Sequence, residues 1–138
     1  MKTHPYLRAY MAGIVVPTVF VLVIFAAFCV ARFVYHVDVP IERIVVFPLA
    51  LVPNLWGVWN IFYVSLHSHR RLPLGIHGAA LPAILLPVAL LASRGLVPEF
   101  AHELGSAFWL ILPGLMILYY LVWKYFVGFF NGMLGIAG

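Results

Sequence analysis

The sequence predicts an all-α integral membrane protein: four antiparallel transmembrane helices with proline kinks, short loops and an apolar C-terminal tail suited to the membrane interface. Three observations predict it. Of 138 residues, 65% are hydrophobic and only 9% charged, where a soluble domain carries about 25% charged residues. The apolar residues gather in four stretches, Ala9–Ala31, Ile44–Leu66, Leu72–Ser93 and Leu104–Trp123, and the first two hold no Asp, Glu, Lys or Arg. A helix rises about 1.5 Å per residue, so roughly 20 residues cross a hydrocarbon core about 30 Å thick. Little chain remains outside the four stretches, so residues 1–138 read as one transmembrane domain, with the lipid bilayer as its first partner.

The first helix is expected over about 9–33. Lys2 and Arg8 before it would suit the charged start of a secretory signal. The stretch is nonetheless longer than the apolar region of about 7–15 residues that signals use, so a retained helix is expected. Cys29 lies inside it and has no second cysteine to pair with, which excludes an internal disulfide. Its plain role is that of a small packing residue.

The second helix is expected over about 42–66, entered through a link in which Pro40 suits the first helical turn. It is the polar one of the four, holding Asn54, Asn60, Trp56 and Trp59. Residues 56, 60, 63 and 67 recur at helical spacing, so Trp56, Asn60, Tyr63 and His67 fall on one face. Polar side chains inside a membrane helix turn to the bundle interior or to a wet cavity. With Asn54, these residues are candidate lining of a cavity or path. The competing structural reading is hydrogen bonding between helices, each bond worth about 0.6 kcal/mol and at most about 2.

The third helix, over about 72–93, follows a very short turn that carries Arg70 and Arg71. Both arginines are candidates for contact with anionic lipid headgroups. The helix has no aromatic residue and is built from Ala, Leu and Pro, which suits a crowded position. A link containing Pro98 and Glu99 is expected to form a short interfacial helix stopped at Gly105, with Ser106 capping the fourth helix over about 104–124. One helix from Leu104 to Gly138 would be about 50 Å long, too long for a bilayer. A break, a steep tilt or an interfacial tail is therefore expected over 125–138. In that tail Gly128 and Gly132 have the small-x3-small spacing that lets helix backbones approach, and they are candidate packing residues. Ala9 with Gly13, Ala27 with Ala31, and Ala79 with Ala83 share the spacing.

Charge orients the four helices. Lys2, Arg8, Arg70, Arg71 and Lys124 lie on one side, in segments without an acidic residue. Arg32, Arg43 and Arg94 lie on the other side with Asp38, Glu42, Glu99 and Glu103. Basic residues favour the cytoplasmic side, which places both termini in the cytoplasm and the protein in a plasma membrane of the bacterial inner-membrane type.

Several chemistries are excluded or weak. The basic residues are scattered rather than clustered, so no nucleic-acid face is expected despite a pI near 9.5. No carboxylate lies inside an apolar stretch, and no phosphate-cradling glycine loop is present. The six histidines sit at or beyond the expected helix ends, which argues against haem held between helices. His67, His69 and His77 have a loose metal-ligand spacing, but Arg70 and Arg71 would repel a cation there. No cofactor and no catalytic residue is expected. Each expected helix holds a proline inside it: Pro17; Pro48 and Pro53; Pro82 and Pro87; Pro113. Each proline removes a backbone hydrogen bond. Such kinks suit a protein that moves, though proline is ordinarily frequent in membrane helices. The sequence thus favours an oligomeric channel or transporter for a small solute or ion, as a homodimer because four short helices enclose little volume. The alternative is a non-catalytic structural or regulatory subunit of a larger membrane complex. A lipid-acting enzyme that uses the cytoplasmic histidines ranks third.

Overall fold

The computed structural model describes residues 4–38, 50–67, 72–96 and 98–136. Four long helices make up almost all of it, and the described residues form no strand. They are α1 (Pro5–Phe33), α2 (Ala50–His67), α3 (Leu74–Leu96) and α4 (Pro98–Val122). A π-helical turn, Trp123–Val127, follows α4 and leads into a short last helix, α5 (Gly128–Met133). Two segments are long and apolar enough to cross a membrane: α1 and the continuous stretch Ala107–Met133.

Helix α1 starts at Pro5, ahead of the expected point, because proline at the first helical position gives up an N–H that has no helical partner there. The helices run through Pro17, Pro53, Pro82, Pro87 and Pro113 without ending. Pro17 withdraws the N–H that the Gly13 carbonyl would otherwise accept. One residue on, the Thr18 hydroxyl donates to the Ile14 carbonyl at 2.6 Å. Pro48 lies outside the described residues.

Two expectations fail in the last third of the chain. No separate interfacial helix ends at Gly105: α4 passes through it unbroken from Pro98. A single interior glycine costs a helix only about 1 kcal/mol, too little to stop one of 25 residues. The expected break after Lys124 is also milder than a stop. The helix widens for one turn, with the Gly128 N–H reaching back to the Trp123 carbonyl, and then continues.

The described chain divides into two compact units. The first comprises residues 1–69 and 129–138, the second residues 70–128. In the first, α1 packs on α2. Ala9 meets Asn60 while Gly13 meets Trp56 and Gly57, so the two helices run in opposite directions. The approach is close: a Cβ on Gly13 would lie 2.6 Å from the Trp56 carbonyl oxygen and 2.9 Å from Gly57 Cα. The Ala9–Gly13 spacing therefore serves contact within the chain. Buried Ala9 and Ala12 join Ile136 in a small core, with Ile61, Val64, Phe130 and Leu134 packed around it.

In the second unit α3 packs on α4. Gly75 faces the Tyr120 ring, and a Cβ on Gly78 would collide with the Trp123 side chain. The aromatic side chains that follow along α4 and the π turn thus fill the space that α3 leaves by having none. The Trp123 ring also meets the His77 ring edge-on, with centroids 5.8 Å apart. Packing is looser near the start of α4, where a Cβ on Gly105 would meet only Leu90, at 3.9 Å.

Candidate functional site

The polar face of α2 meets the C-terminal segment. Asn60 is 0% exposed and Asn131, on α5, 1%. Their carboxamides pair reciprocally. Asn60 Nδ2 donates to Asn131 Oδ1 at 2.8 Å, and Asn131 Nδ2 donates back to Asn60 Oδ1 at 3.3 Å. The second hydrogen of Asn60 Nδ2 goes to the Ala9 carbonyl at 2.7 Å. A carboxamide has two N–H donors and one carbonyl acceptor, so both donors and the acceptor of Asn60 are engaged. The group is buried and satisfied within one chain.

The segment that carries Asn131 is anchored at its end as well. Gly135 adopts φ +67°, a left-handed conformation suited to glycine. Around it the Ile136 N–H bonds the Asn131 carbonyl at 2.8 Å, and the Gly135 N–H bonds the Gly132 carbonyl at 3.1 Å. This is the six-to-one and five-to-two pattern of a Schellman cap, which turns the chain back and places Ile136 against the helix it has just left. Here Ile136 goes into the core with Ala9 and Ala12. Half-buried Arg8 donates from Nη1 to the Leu134 carbonyl at 3.3 Å. The cation sits where the carbonyls at a helix C-terminus concentrate negative partial charge.

The other candidate residues divide by position. Trp56 and Tyr63 are buried on the same face of α2 as Asn60. Asn54 is exposed, and its Oδ1 accepts from the Tyr10 hydroxyl. His67 ends α2, but its side chain lies outside the described residues, as do Arg70, Arg71 and His69. Among the described residues no group of three His, Cys, Asp or Glu side chains is placed to hold a metal. Gly128 is a packing position within the chain, since a Cβ there would touch Leu74 at 3.4 Å. Gly132 meets nothing within 4 Å, which leaves any packing role to contacts outside the chain.

Sequence reasoning places Asn60 on an interior face but does not find its partner. In the sequence Asn131 reads only as one member of the small-residue face of the tail, and 71 residues separate the two. One available signal is that Asn131 is the only Asn, Gln, Asp or Glu after Glu103. Arg8 likewise reads for its charge alone, not as a donor to the tail. Comparison with models of protein families, with curated proteins and with solved structures gives no match.

Proposed function

We propose that this chain is an integral membrane protein with four crossings that serves as a non-catalytic structural or regulatory subunit, assembling with other membrane-embedded protein. Closure of the Asn60 carboxamide within the chain is the observation that carries this reading. A residue lining a path must offer polar atoms to the solute, and those of Asn60 are engaged by Ala9 and Asn131. The outward residues are apolar and large, with Trp109 81% and Leu110 83% exposed on α4. Such surface suits lipid or another helix.

The segments α2 and α3 supply the second and third crossings in this reading, beside the two long apolar segments. The Arg8 bond to Leu134 supports an arrangement with both ends of the chain on one side, which the basic residues make the cytoplasmic side. Arg70 and Arg71 would then meet the anionic headgroups of that leaflet.

A second reading, an oligomeric channel or transporter, is favoured by the prolines that every described long helix carries inside it. Each leaves a backbone carbonyl to be satisfied in another way, which allows helix movement. Transport and assembly separate experimentally. Purified from its native membrane in mild detergent, the chain is expected to emerge in fixed ratio with a larger membrane protein. Liposomes holding the chain alone should leak ions and small solutes no faster than empty ones. A lone oligomer with flux that Asn60→Leu abolishes while leaving the oligomer intact would replace this proposal with the second reading.

A further inference from the structure

Residues 129–136 touch α1 and α2 at few points: the Asn131 carboxamide on Asn60, Ile136 on Ala9 and Ala12, and the Leu134 carbonyl on Arg8. The opposite face of the segment is exposed, with Phe129 and Met133 both largely accessible. The segment begins directly after the π turn, an irregularity at which helices change direction. What it covers is specific. Beneath Asn131 lies a shallow groove lined by small Ala9 and Ala12, with a donor and an acceptor from Asn60 at its floor. In lipid an uncovered carboxamide is costly, and another carboxamide satisfies it reciprocally.

We propose that residues 129–136 are a displaceable latch, and that the groove they occupy takes up a transmembrane helix of the partner carrying an Asn or Gln carboxamide. The seated Asn131 displays the chemistry the groove accepts. The proposal rests on the subunit reading above and names the kind of helix that reading requires. In the latched state the groove is closed to the partner, so apparent affinity falls by the fraction of molecules that are latched.

The test uses the full chain in phosphatidylcholine vesicles and two labelled probes, a polyleucine transmembrane peptide with one central Asn and the same peptide without it. Energy transfer reports binding. Asn131→Leu, which removes the latch's polar contact, should bind the Asn peptide at least about threefold more tightly than the natural chain, a gain of the size one intramembrane polar contact supplies. Neither chain should distinguish itself with the all-Leu peptide. Asn60→Leu should bind both peptides alike. A second variant guards against misfolding: Ala12→Cys with Ile136→Cys, in a Cys29→Ala background, locks the latch by a disulfide. Oxidised, it should exclude the Asn peptide; reduced, it should bind as the natural chain does. Equal binding of the two peptides by the Asn131→Leu chain, or no difference between the oxidised and reduced lock, would overturn the latch. Failure of the subunit reading is seen separately, in the co-purification and flux measurements, which use neither peptide.

Discussion

At the scale of single residues, the structure turns on which glycines are crowded. A methyl group on Gly13 would strike backbone atoms of Trp56 and Gly57, and backbone has little room to give. A methyl group on Gly114 meets nothing within 4 Å. Both glycines lie in helix interiors, where alanine is intrinsically better by about 1 kcal/mol. Gly114→Ala should therefore be neutral or stabilising by up to about 1 kcal/mol. Gly13→Ala should lose about 1–3 kcal/mol to overpacking, since the helices must separate to admit it. Unfolding by sodium dodecyl sulfate titrated into mild detergent, followed by helix circular dichroism, compares the two. Equal midpoints for both variants would mean that α1 and α2 are not in close contact at Gly13.

At the scale of elements, the four helices were legible because a bilayer-length apolar run is a signal that each stretch carries by itself. Two things were not. A pair such as Asn60 and Asn131 depends on packing between distant segments, and neither residue's neighbours record the other. The π turn was hidden because Trp-Lys-Tyr-Phe-Val is ordinary helix sequence; its wider turn keeps Trp123 and Val127, both fully buried, facing inward. Its consequence is testable. Deleting Tyr125, an exposed residue of this turn, removes the extra residue and rotates everything after it by about 100°. Asn131 then leaves Asn60, and Ile136 leaves Ala9 and Ala12. Amide hydrogens in residues 129–136 should exchange on the order of tenfold faster, equivalent to about 1.4 kcal/mol of lost protection. Deleting a residue outside the described core at 39–49 should leave that protection unchanged. Unaltered exchange in the Tyr125 deletion would mean the segment is held by something other than the register of this turn.

For the whole molecule, the distribution of charge makes a claim that the two apolar helices alone do not. Two crossings are compatible with many arrangements of the remaining chain, but the basic residues constrain them jointly. Arg8 adjoins Leu134, so residues near the two ends of the chain share a side. Arg70 and Arg71 then fall on that same side only if α1 and the segment through α2 form one pair of crossings. Glu99 falls on the opposite side only if α3 forms a third. The layout is thus a chain of dependent statements, and two positions test it. In a Cys29→Ala background, single cysteines replacing Arg71 and Glu99 are exposed to a membrane-impermeant maleimide on intact cells and again after lysis. Glu99→Cys should label in intact cells and Arg71→Cys only after lysis. Replacing both Arg70 and Arg71 by Glu should weaken or invert this asymmetry, because basic residues in short turns are what retain a segment in the cytoplasm. Labelling of both single cysteines from the same side would leave α1 and the Ala107–Met133 segment as candidate crossings but would remove α3 from the membrane-spanning set.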